Sequence, residues 1–255
     1  MNKLHPLPKT IDQVIAQMDQ VIDRCIRERS RLGYFAMLYR DVTARVRDGI
    51  AMGRFEDGAR MERLDVIFAN RYLQALYEFW DGTTPTQSWL IAFNAAHQWS
   101  PIVMQHLVLG MNAHINLDLA LAAVQVAPGN QLPSLHRDFE EITVLLGEMT
   151  LEMEGRMERV SPWFRLIDRV GGRTNEQICG FAMQQVRDLA WLAAEKLAGT
   201  APAEFEQEIV LHDRIVAALG YAIRFPVGIR LRVGLALIRL RETRGVLTVM
   251  DVLRM

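Results

Sequence analysis

Cysteine is scarce. The only two, Cys25 and Cys179, stand far apart with no CxxC spacing, so neither a thiol-ligated zinc nor a disulfide scaffold is expected. A reduced, cytoplasmic setting is the resulting expectation. Net charge is scarce too: 29 Lys and Arg against 30 Asp and Glu leave a formal charge of −1, which gives no general electrostatic case for nucleic acid. The opening MNKLHPLPKT has no apolar h-region. No run of about 18 uncharged apolar residues occurs outside one central stretch, and that stretch is broken by His and Asp. The chain is therefore expected to be neither exported nor membrane-spanning. No GxSxG elbow, P-loop, GxGxxG or HExxH occurs, nor the paired Glu-x-x-His of a di-iron bundle. Convincing strand alternation and internal repeats are also missing.

What is present is helical periodicity. Half of the 255 residues are apolar, enough for a sizeable core. Thr10-Ile-Asp-Gln13 has capping-box form and predicts a helix to about Ser30, with Ile11, Val14, Ile15, Met18, Ile22 and Cys25 on one face. Helices are then predicted over about Tyr34 to Met52 and about Asp57 to Trp80. Thr84-Pro85 and Ser100-Pro101 look like two further starts, each with Pro in the first turn. Ala127-Pro128-Gly129-Asn130 is the clearest break. Beyond it, helices are predicted from Pro133 or Ser134 to Val160, from Ser161-Pro162 through Asp168, from Thr174 to Leu197, from Pro202 to just before Pro226, and over Val227 to Glu242. The expected fold is all-α: one domain over residues 1–255, a flexible lead-in at 1–9, and about nine helices around a buried central one.

That central stretch, Ser100 to Val124, is nearly all apolar yet carries His106, Asn112, His114, Asn116 and Asp118. Polar groups inside an apolar helix need hydrogen-bond partners or a metal to offset desolvation. At about 100° per residue, His114 falls about 80° and Asp118 about 120° from His106, so all three share a side. Asn112 and Asn116 point the other way with Gln105. Asp65 lies inside the apolar stripe of its own helix, between Met61 and Phe68, with Arg71 as the obvious competitor for its charge.

His114 and Asp118 stand four apart, close enough on a helix to reach one divalent cation, and His136 and Glu140 repeat the spacing eighteen residues after Asp118. The competing reading of each is a hydrogen-bonded pair, internal for the first and solvated for the second. The predicted metal site is His114 and Asp118 with Asp65, His106, His136 and Glu140, for a divalent metal such as zinc. Val227 to Glu242 has apolar residues on two opposite sides with Arg230, Arg232, Arg239 and Arg241 along the seams, which predicts a helix packed between two neighbours rather than one lying on a membrane, where all the charge should sit on one side. Seven arginines against Glu242 and Asp251 over residues 220–255 leave an anionic partner as a weaker reading.

FAMLYRDVTARVRDGI, GRFEDGARMERLDVIFANRYLQA, QHLVLGMNAHINLDL and SPWFRLIDRVGGRTNEQI resemble an uncharacterised bacterial family known only as a domain of unknown function. The resemblance implies no activity, but makes the central helix and the helix around Asp65 the family signature. The two His-xxx-acid pairs are also similar to the ligand core of the zinc-dependent phospholipase C and P1 nuclease superfamily, an all-helical fold with a three-zinc phosphodiesterase site. This second likeness implies that His114 and Asp118 hold one zinc, with Asp118 bridging, and His136 and Glu140 another. That family also uses its N-terminal amino group, a Trp there and a His between the pairs. Here the chain starts Met-Asn-Lys and no His lies between 118 and 136, so one or two metals are expected. The expected function is a metal-dependent hydrolase of phosphate esters or a lipid-like small molecule. The alternative is a non-catalytic helical binding protein whose polar cluster orders the core.

Overall fold

The computed structural model describes residues 5–161, 163 and 175–254, with the side chains of all except 150, 151 and 175–186. Among the described residues the secondary structure is all helical. The α-helices are α1 (Ile11–Glu28), α2 (Leu32–Ala51), α3 (Gly58–Trp80), α4 (Gln87–Ala96), α5 (Val103–Ala113), α6 (Ala120–Val126), α7 (His136–Val160), α8 (Asn175–Ala198), α9 (Phe205–Arg224), α10 (Ile229–Arg241) and α11 (Val246–Leu253). A π-helical turn, His114–Leu119, joins α5 to α6, and a 3₁₀ segment, Gly129–Leu135, leads into α7. Eleven helices among the described residues exceed the nine expected because the π turn divides the central run and because Val246–Leu253, with Val246, Val249, Met250 and Leu253 at helical spacing, was not among those expected. The predicted short helix through Asp168, the Gly171-Gly172 turn and the Thr174 cap lie outside the described residues.

Local signals account for the first helices. Thr10 Oγ1 accepts from Gln13 N–H at 3.3 Å, and Ile11, Val14, Ile15, Met18, Ile22 and Cys25 are buried as their spacing predicts. Asp57 caps α3 through Arg60 N–H at 2.8 Å. Two carbonyls of the expected flexible lead-in are held, Pro6 O by Gln17 and Pro8 O by Asn70. The Thr-Pro and Ser-Pro pairs stand two residues ahead of the true starts at Gln87 and Val103.

The orphan N–H groups at those starts are satisfied from far along the chain. Asp213 of α9 accepts from Gln87 at 2.7 Å and Ser88 at 3.0 Å, and Glu242, just after α10, accepts from Val103 at 3.0 Å. Asp138 of α7 does the same for Glu56 at 2.6 Å and Asp57 at 3.4 Å on the approach to α3, and binds Arg60. Each of these carboxylates is buried.

The α5–π–α6 rod is the axis. Helices α2, α4 and α9 pack on α5, while α3 and α8 pack on the π turn and α6. This run, Val103–Val126, is long and apolar enough to cross a bilayer, and 83% of its most apolar window is buried by the other helices. Gln105, Asn112 and Asn116 do share a side: Gln105 donates to Ile223 O and Asn112 to Val216 O, both on α9, and Asn116 donates to Asn112.

Gly110 sets the distance between α5 and α2. A Cβ there would come within 2.4 Å of the Phe35 ring and 3.0 Å of its Cβ, so the whole side chain would have to shift. Gly110→Ala is expected to lower the unfolding free energy by about 1–3 kcal/mol, the usual cost of overpacking, in a urea titration at constant m-value.

Candidate functional site

The polar site begins at the π turn. Such a turn widens the backbone and frees a carbonyl from its intrahelical partner. His212 of α9 takes up the Asn116 carbonyl through Nε2 at 2.7 Å. Within the same turn His114 Nδ1 lies 3.2 Å from Asp118 Oδ2, and both side chains are buried. Asp118 is otherwise fully engaged: Trp89 Nε1 donates to Oδ2 at 2.8 Å and Arg71 Nε to Oδ1 at 3.1 Å. One carboxylate therefore ties α3, α4 and the π turn together. Arg71, expected to compensate Asp65, serves Asp118 instead.

The His114 ring is walled by aromatics. Phe68 stacks on it at 3.5 Å and 7°, and Tyr39 meets it edge-on at 4.2 Å. Burial outweighs the neighbouring Asp118 and holds the imidazole pKa below its ordinary value, so the ring is neutral near pH 7. Its Nε2 has no hydrogen-bond partner among the described residues.

Asp65, one turn before Phe68, is buried with Oδ2 likewise unpartnered. Desolvation, then the nearby Glu62 charge, push its carboxyl up to about 8, so it carries its proton at neutral pH. Asp65 and His114 both border a cavity of about 300 Å³ between α2, α3, α5, α7 and α9. The wall is otherwise nearly all apolar, with Leu38, Val42, Met111, Leu146 and Met153 among its side chains, and it is partly open to the surface. Arg187 of α8 reaches the same cavity. It is buried, donates to Phe139 O and Thr143 Oγ1, and lies 4.2 Å over the Phe139 ring; burial pulls its guanidinium down to about 9.

The predicted ligand set does not converge. His106 shares a side with His114, but eight residues of helix set the two about 12 Å apart along the axis. His106 meets Tyr34 edge-on, and burial followed by Arg31, Arg239 and Arg224 hold it down to about 3. His136 and Glu140 are mostly exposed, 3.7 Å apart, with His136 against Trp191; the buried carboxylate between them is Asp138, the cap described above. Among the described residues no three His, Cys, Asp or Glu side chains are placed to share a cation. Asp118 could bridge zinc only by losing Arg71 and Trp89. The residues present thus do not fit the zinc cluster the short resemblance implied.

Trp89 and Arg187 escaped the sequence reading. A Trp in a short apolar helix that must find an acceptor for its N–H was the available signal for the first. A guanidinium inside an amphipathic helix gave none for the second.

A family model described as a family of unknown function, DUF5995, matches residues 11–226. The chain belongs to this family. No curated protein and no solved structure matches the chain. The family model thus bears out the longer resemblance, while the similarity to the zinc-dependent superfamily has no match behind it.

Two outcomes follow. Asp118→Ala leaves an indole N–H, a guanidinium and an imidazole without their acceptor, and is expected to destabilise the fold by about 3 kcal/mol in chemical denaturation. Asp65 contributes with the opposite pH sense to an ordinary carboxylate. Its pKa is about 8 folded against about 3.9 unfolded, so stability is fully present below about pH 4, falls as pH rises to about 8, and levels off above. His106 has the reverse slope, so the difference between wild type and Asp65→Asn is the proper reading. The variant should gain on the wild type steadily from about pH 4 to about pH 8 and no further above.

Proposed function

We propose that the protein binds a lipid-like small molecule in the cavity beside the π turn, with the ligand's polar group held by Asp65 and His114. The observation that carries this reading is a mostly apolar lining interrupted by buried polar atoms, among them Asp65 Oδ2, His114 Nε2 and Asn116 Oδ1, that have no partner among the described residues. Buried polar atoms without partners are rare and call for an explanation, and a mostly apolar pocket with a few convergent polar groups is the usual form of a small-molecule site.

The chemistry of the two groups defines what they accept. A protonated Asp65 donates to a carbonyl or hydroxyl oxygen and does not repel an acidic ligand. Neutral His114, its Nδ1 turned to Asp118, offers Nε2 as an acceptor when Nδ1 carries the proton. Arg187, which donates to a carbonyl and a hydroxyl and lies over the Phe139 ring, adds a cation to a wall that Glu154 also lines, and a fatty acid is expected to gain more there than the alcohol of equal length. A metal-dependent hydrolase would first require Asp118 to give up Arg71 and Trp89, so cavity binding is the reading the geometry favours.

Binding is tested with a neutral phenylnaphthylamine probe and its displacement by a fatty acid and a fatty alcohol. Saturable one-to-one fluorescence is expected, with the acid displacing more tightly, and Val108→Trp, which fills the cavity, weakening binding by at least about tenfold. Unsaturable binding, or an equal signal from a natively folded Val108→Trp, overturns the reading. So does stoichiometric zinc that is lost in Asp118→Asn, which would restore the hydrolase.

A further inference from the structure

Helix α10 departs from the sequence expectation of two neighbours. Of its residues only Ile238 and Arg239 are buried, and the second apolar side faces solvent. Ile229 is 76% exposed, Val233 50%, Leu237 41% and Leu240 53%, and the loop before it exposes 91% of Val227. At about 100° per residue these four helical positions fall within about 80° of one another, a single outward stripe. Arg230 and Arg241 border it on one flank and Arg232 on the other, all three exposed.

The surface charge of this helix has one sign. From 227 to 245 the only acidic residue is Glu242, which is buried, paired with Arg239 at 3.1 Å and capping Val103. An isolated apolar stripe does not name its occupant, but a stripe bordered by arginines on both flanks does. Exposed branched side chains enter the acyl boundary while the arginine stems lie along it and put their guanidiniums at phosphate level. A partner protein would need acidic side chains along both edges of an apolar groove; an anionic bilayer offers both at once.

The C-terminal end of the helix is tied to the body of the fold. Arg239 Nε donates to Trp99 O at 2.6 Å and Thr243 N–H to Val160 O at 3.0 Å, which fixes α10 across the start of α5 and the end of α7. Exposed apolar side chains also stand close by in the chain, Leu219 and Tyr221 of α9 and Phe225 just after it, and Leu219 borders the cavity.

We infer that the arginine-flanked outer face of α10, with Val227, docks on the surface of an anionic phospholipid bilayer. This does not depend on what the cavity holds, and its test is separate. The full-length protein is sedimented with phosphatidylcholine vesicles, with or without phosphatidylglycerol, at low and high salt. Expected is binding that needs phosphatidylglycerol and weakens with salt, as arginine–lipid attraction does. Arg230→Glu with Arg232→Glu should lower the partition at least about tenfold, since each arginine near such a surface is worth about a fivefold factor. Ile229→Asp with Val233→Asp should lower it too, with unchanged circular dichroism, because these side chains support nothing inside the fold. No sedimentation with anionic vesicles, or sedimentation indifferent to both double variants, overturns the inference. It is likewise overturned if light scattering finds a dimer that Ile229→Asp with Val233→Asp converts to monomer, for then the face belongs to a second copy.

Discussion

The arrangement of the centre depends on one carboxylate. Asp118 collects an indole N–H, a guanidinium and an imidazole from three segments, and each of those donors would be costly to bury alone. The π turn at His114–Leu119 adds a link on the far side, where the Asn116 carbonyl meets His212. Polar satisfaction and helix packing are therefore the same constraint here: α3, α4 and α9 are placed by what the rod's polar atoms require.

Much of the fold was legible in the amino-acid order because it rests on local chemistry. The buried stripe of α1, the Asp57 cap and the break at Pro128-Gly129 depend on residues within a few positions of one another. The starts of α4 and α5 were displaced because Asp213 and Glu242, over a hundred residues away, decide them. The second neighbour assigned to α10 failed for a related reason. Two apolar sides on a helix show that both prefer to leave water, and periodicity does not say what lies opposite.

The candidate site was half legible. That His114, Asp118, Asp65 and His106 are buried follows from their apolar surroundings, and all four are. Their grouping does not follow, because spacing along one helix says nothing about who arrives from outside. Trp89 and Arg71 reached Asp118, leaving Asp65 neutral beside a cavity and His106 among arginines. The same motif, His-xxx-acid, forms a buried knot at 114–118 and a solvated surface pair at 136–140. Sequence spacing set the reach of each pair and solvent exposure decided its character.

The long-range caps bear on how the chain comes together. The starts of α4 and α5 are completed by carboxylates at 213 and 242, and the approach to α3 is tied by the one at 138, so these ends wait for later parts of the chain. A nascent chain halfway through translation holds helices with frayed starts and an apolar rod without its cover. Glu242 and Thr243 lie beyond the family-wide region yet close the start of α5 and hold the end of α7, so the arginine-rich tail is part of the same body rather than an appendage to it.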